Sequence, residues 1–170
     1  MRTAYDLVWL SGERAPDQLA LVDDRTERKL TYRELLREID AVAAGLAARG
    51  VKRGTRIATA LPNLFEHCIL LLALQRLAAV PAWLNFRLQP AELAKLIQQG
   101  EIEGAVVRDD PAVTSALNLK LLLTPDLSGC RGDPRALPPR PQPAREDPAF
   151  IFYTSGTTGL PKGVVMRYGS

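Results

Sequence analysis

The chain has 170 residues, long enough for a domain with its own core, and 46% hydrophobic against 24% charged residues is an ordinary globular balance. Its net charge of +3 comes from scattered basic residues without a like-charged run, which speaks against nucleic acid as a partner. The two cysteines, Cys68 and Cys130, have no CxxC spacing, which speaks against a disulfide framework or zinc site and for two reduced thiols.

The opening "MRTAYDLVWLSGERAPD" has too short an apolar stretch for a signal peptide and carries acids early. The longest apolar run, Cys68 to Leu74, falls far short of a membrane span, so a cytoplasmic protein is expected. "LALVDD" (19–24) and "RKLTY" (28–32) flank the polar "RTE" and predict a hairpin. In "TYRELLREIDAVAAGLAARG", Thr31 and Glu34 have capping-box spacing. Tyr32, Leu35, Leu36, Ile39, Val42, Ala43 and Leu46 then recur at helical spacing, and Gly50 can end the helix left-handed.

"TRIATAL" (55–61) predicts a strand broken by Pro62. Asn63 is placed to cap a second helix, apolar almost all round and therefore buried on more than one side. "VPAWLN" (80–85) is a further strand, and Pro90 opens a third helix that Gly100 closes. "EGAVV" (103–107) and "LKLLL" (119–123) are two more strands with room for a short helix between them. Strands alternating with helices, each strand a continuous apolar run, predict an α/β fold: a mostly parallel sheet with helices on both faces.

The composition changes at residue 125, where Pro125, Pro134, Pro138, Pro139, Pro141, Pro143 and Pro148 crowd one stretch. Proline lacks the backbone donor, so this stretch is expected as a surface connection. The chain thus divides into an α/β unit at 1–124, a proline-rich connection at 125–148, and a strand–loop–strand at 149–170.

That last unit holds "FIFYTSGTTGLPKGVVM" (150–166), two apolar runs around a loop of Ser, Thr and Gly with one Lys. Gly156, Gly159 and Gly163 permit close backbone approaches. Thr154, Ser155, Thr157 and Thr158 add hydroxyls to the backbone amides, and Lys162 adds a point charge. Donors and a cation on a pliable backbone suit a polyphosphate; the other reading is a long hairpin without ligand. The Walker pattern GxxxxGK[ST] is not met, because Pro161 precedes Lys162, Gly163 follows it, and "VVM" prefers a strand.

"YTSGTTGLPKG" closely resembles the signature loop of the adenylate-forming (AMP-binding) superfamily. "APDQLALVDD", "LTYRELLREIDAVAAGLAARGVKRGTRIATALPN" and "LLALQRLAAVPAWLNFRL" are similar to that family's N-terminal segments. "LALQRLAAVPAWLNFRLQPAELAKLIQQGE" with "PAFIFYTSGTTGLPKG" most resembles the 4-chlorobenzoate–CoA ligase-like acyl- and aryl-CoA ligases. The fold so implied is the N-terminal part of the family's large domain, incomplete at this length, with 149–170 opening the next subdomain.

The resemblance implies a carboxylic acid, ATP with Mg2+, and coenzyme A as reactants. An acyl-adenylate forms with release of pyrophosphate, and the coenzyme A thiol then displaces AMP. Carried onto this chain, Thr154, Ser155, Gly156, Thr157, Thr158, Gly159 and Lys162 would hold the β- and γ-phosphates. Lys162 is not the family's catalytic lysine, which belongs to a small C-terminal domain. No catalytic and no metal-binding residue is assigned within these 170 residues, and the chain alone is expected to be inactive. The alternative is a truncated remnant that at most binds nucleotide or a protein partner. Many relatives carry a histidine soon after the loop, near the place of Tyr168. His67, Trp9 and Trp83 are expected to pack, and the acids show no paired arrangement for acid–base work.

Overall fold

The computed structural model describes residues 1–62, 64–154 and 161–170. It opens with a helix that the sequence reading did not foresee, α1 (Ala4–Arg14), closed at its start by a Thr3–Asp6 capping box. β1 (Leu19–Val22) and β2 (Lys29–Thr31) form the expected antiparallel hairpin. α2 (Tyr32–Ala48) follows directly, with the Thr31–Glu34 capping box in place and Leu35, Ile39, Val42, Ala43 and Leu46 turned inward. Gly50 ends it at φ +89°, the left-handed conformation that a Cβ would disfavour.

The main sheet is built from β3 (Arg56–Ala60), β4 (Val80–Trp83), β5 (Gly104–Val107), β6 (Leu121–Leu123), β7 (Pro148–Thr154) and β8 (Lys162–Arg167). Its order is β6-β5-β3-β4-β7-β8, with every neighbouring pair parallel except β7–β8. α3 (Phe65–Arg76), α4 (Pro90–Gln99) and α5 (Pro111–Ala116) connect the strands. Successive strand residues part to opposite faces, as the pleat requires. Ile57 and Val106 join Ile39, Leu46, Ile69 and Leu74 under α1, α2 and α3. Ala58, Ala82, Ala105 and Ile151 join Leu93, Leu96 and Val113 under α4 and α5. Cover on both faces is why these strands read as unbroken apolar runs.

Asn63, the expected cap of α3, lies outside the described residues; Leu64 sits at the N-cap without a side-chain bond. The two cysteines reverse what their neighbours suggest. Cys68, in an apolar run, is exposed, and Cys130, in a polar one, is buried. Both are free thiols.

Cys130 is buried because the proline-rich connection is pressed onto α2. The Gly132 amide donates to the Ala41 carbonyl at 2.9 Å. Arg49 donates to the carbonyls of Gly45 and Gly129. Gly45 has no room for a side chain, since a Cβ there would collide with the Cys130 carbonyl. Further on, Arg76 donates to the Pro138 carbonyl at 3.1 Å. The connection runs over the surface but is tied along its length, and it delivers β7 to the open side of β4.

One polar cluster lies under these helices. The Tyr5 hydroxyl donates to Asp40 at 3.0 Å, and the Arg76 guanidinium stands 3.6 Å from the same carboxylate. Burial, helped by the Asp40 charge, pushes Tyr5 up to about 12. Among the described residues no helix is long and apolar enough to cross a membrane.

Candidate functional site

α3, which follows β3, packs on one face of the sheet, and α4, which follows β4, packs on the other. The chain therefore parts between the carboxyl ends of two adjacent parallel strands. Open α/β sheets place ligands in the crevice at such a point. A cleft of about 580 Å³ lies there. Leu61 and Pro62 after β3, Trp83, Asn85 and Phe86 at the end of β4, and Phe152 of β7 line it.

The glycine- and hydroxyl-rich loop leaves from the same edge. Thr154 ends β7 and Lys162 begins β8, and the two stand opposite each other in the antiparallel register. Both are exposed. Ser155, Gly156, Thr157, Thr158 and Gly159, the remaining residues expected to grip phosphate, lie outside the described residues. Opposed residues of an antiparallel pair share a face, and every second residue shares it too. Thr154, Phe152 and Phe150 on β7 therefore lie on one face with Lys162, Val164 and Met166 on β8.

That face carries an aromatic ladder. Phe150 stacks on Phe152, and Phe152 stacks on Trp83, each pair with centroids 5.8 Å apart. His67 meets Trp83 edge-on at 5.1 Å. Single residues in the sequence carry no sign of this, because it exists only once β4 and β7 are side by side. The alternation Phe150–Ile151–Phe152 was the one legible part of it.

His67 packs as anticipated. It is 3% exposed, hydrogen-bonds to the Pro62 backbone, and its Nε2 finds no partner among the described residues. Burial holds its pKa below the ordinary value, so it is neutral and supports the wall behind Trp83. Trp9 is covered by the Arg140 guanidinium 4.0 Å above its ring, away from the cleft. Tyr168 is turned toward α3. Its hydroxyl donates to Gln75 Oε1 at 3.1 Å, at the far end of the hairpin. Burial pushes that phenol up to about 12. No cluster of His, Cys, Asp and Glu that could hold a metal ion occurs among the described residues.

Comparisons with known proteins agree with this arrangement. The family model described as AMP-binding enzyme matches residues 8–170. A 4-chlorobenzoate–CoA ligase from Arthrobacter sp is 46% identical over 99% of the chain and 34% of its own length. A protein of the same name from Pseudomonas sp. (strain CBS-3) is 36% identical over 98% of the chain and 33% of its own length. The chain thus spans about a third of the length of these relatives. The Klebsiella oxytoca NpsA N-terminal subdomain, solved in complex with 3-hydroxybenzoyl-AMSN, superposes with a TM-score of 0.82 at 27% identity. That match covers 99% of this chain and 41% of that one.

Proposed function

The chain belongs to the AMP-binding enzyme family, and on that premise we propose that it is the N-terminal part of an ATP-dependent CoA ligase that activates an aryl carboxylic acid. In the first step a carboxylate oxygen attacks the α-phosphorus of ATP, the bond to the bridging oxygen breaks, and pyrophosphate leaves. In the second step the coenzyme A thiol, losing its proton, attacks the acyl carbonyl and AMP leaves, giving the thioester.

The observation that supports this reading is where the two strands flanking the loop meet. β7 ends at Thr154, on the carboxyl edge of the sheet beside the crevice between β3 and β4, and Lys162 opens β8 opposite it. Backbone amides and hydroxyls from Thr154 to Gly159 would bind the β- and γ-phosphates, and Lys162 would offset their charge as pyrophosphate departs. Mg2+ would arrive on those phosphates. An aryl acid is favoured by the 46% identity to a protein named for one, and by the 3-hydroxybenzoyl group of the compound in complex with the NpsA subdomain. We place the work in the cytoplasm, where ATP and coenzyme A are at hand. We also keep 149–170 as the opening of a further subdomain, joined to the first through β7.

The test is carboxylate-dependent exchange of pyrophosphate into ATP by the complete gene product, with benzoates and fatty acids in parallel. Exchange driven by benzoates is expected, and Lys162→Ala should slow it by about 100–1,000-fold, the range for loss of one electrostatic stabiliser. Exchange that is absent for every acid, or untouched by Lys162→Ala, overturns the reading.

A further inference from the structure

Hairpin register is ordinarily set by a short turn or by a buried face. β7 buries Ala149 and Ile151 and so has its own register on the body, but β8 has neither. Residues 155–161 separate them, a connection too long to dictate pairing as a two-residue turn does. β8 is exposed along its whole length, so burial does not choose its register. β7 itself is paired with β4 only through Ala82↔Ile151 and Trp83↔Phe152. A slip of β8 by two residues would keep every side chain on its own face, yet carry Lys162 about 7 Å away from Thr154.

Something at the other end of the hairpin must oppose that slip, and a buried side chain stands there. Gln75, in the last turn of α3, is 1% exposed. Its Nε2 donates to the Ala149 carbonyl of β7 at 2.9 Å, and its Oε1 accepts from the Tyr168 hydroxyl, just past β8, at 3.1 Å. One amide thus holds both strands and ties them to the body of the molecule. Two backbone bonds, Tyr168 to Asp147 and Gly169 to Arg145, close the same end but lie within the hairpin segment itself. Arg53 also reaches Asp147 from the body, but it is half-exposed, where such pairs are weak.

We propose that Gln75 is a positioning residue whose side-chain amide pins β8 in register on β7 and thereby holds Lys162 opposite Thr154. Its consequence for nucleotide binding rests on the phosphate-grip reading given above. A buried amide is well suited to the task. It satisfies a strand carbonyl and a hydroxyl at once, and any slip leaves one of them unpaired in a dry site.

The test reads register directly, by disulfide trapping in a Cys68→Ser background. Cysteines replacing Phe150 and Met166 report the native pairing. Cysteines at 150 and 164, or at 152 and 166, report slips in the two directions. With Gln75 present only the native pair should cross-link. In Gln75→Leu, and in Tyr168→Phe, a slipped pair should gain several-fold in cross-linking. Trapping that stays confined to the native pair in both variants overturns the proposal. If Gln75→Leu does not fold, Tyr168→Phe decides alone, since it removes a single hydroxyl.

The complete gene product adds a kinetic readout. Loss of register should raise KM for ATP several-fold and leave KM for the carboxylate unchanged, whereas a merely structural lesion lowers kcat without parting the two. Slipped trapping with an unchanged KM for ATP keeps the pin and refutes its link to the phosphates. An unaffected Lys162→Ala enzyme refutes the phosphate grip and leaves the trapping result standing.

Discussion

The body of the molecule and the β7–β8 hairpin are held by different means. In the body, β3, β4 and β5 lie between two layers of helices, and residues such as Ile39, Leu70 and Leu74 are wholly enclosed. In the hairpin, Ala149 and Ile151 of β7 are buried, but Phe152 is 38% exposed and Val165 48%, and the remaining attachment is a short parallel pairing plus polar ties from Gln75 and Arg53. Stability resides in the first region and the candidate chemistry in the second. An element so attached can open locally without unfolding the core.

The largest expected effect tests that division. Leu74→Ala removes a fully enclosed side chain beneath α3 and should cost about 3–5 kcal/mol in urea denaturation. Val165→Thr, on the exposed strand, should stay within about 0.5 kcal/mol while reducing self-association in size-exclusion runs. Equal losses at the two sites would erase the contrast.

The next effect sharpens it at the seam. Gly45→Ala would ordinarily favour a helix by about 1 kcal/mol. Here the added methyl meets the Cys130 carbonyl, and overpacking should reverse the sign to a loss of about 1–3 kcal/mol. Thermal denaturation checks this, and a stabilised Gly45→Ala protein would mean that the connection is not firmly seated on α2.

The smallest is a pH effect at the boundary between the regions. Burial lowers the pKa of His67 from its ordinary 6.5, so above that pH the folded and unfolded forms are alike neutral. As pH falls through 6.5, the unfolded chain takes up a proton that the folded one refuses. Stability is therefore lost from that point downward and levels off below the folded pKa. His67→Leu should flatten this step in urea midpoints taken at pH 7.5 and 5.5.

Much of the body was legible because its signals are local. The Thr31–Glu34 box, Pro90 at the start of α4, and Gly50 with its positive φ all act within a few residues of where they are read. The Thr3–Asp6 box that opens α1 has the same form, and Tyr5, Val8, Trp9 and Gly12 follow it at helical spacing, so α1 is equally legible. The burial of Cys130 and Gln75 was not legible. Each depends on a partner brought from far along the chain, Gly45 for the one, Ala149 and Tyr168 for the other. The loop suggested phosphate by its composition, and its residues 155–160 lie outside the described residues. Its neighbours Trp83 and Phe152 meet only through the β4–β7 pairing, which no local pattern encodes.

That pairing also dictates an order of assembly during synthesis. β3, β4, β5 and β6 can all find their places once Leu123 has been made, whereas β4 receives its second neighbour only with Ile151. At about 5–20 residues per second, Ile151 follows Leu123 by roughly 1–6 s. Throughout that interval the nascent sheet presents β4 as a bare apolar margin, open to any extended segment nearby. Residues 127–132, tied to α2 through the Gly132 amide and packed against Gly45, precede β7 in the chain and emerge before it. The longer β7 takes to arrive, the longer that margin stays open to a neighbouring chain.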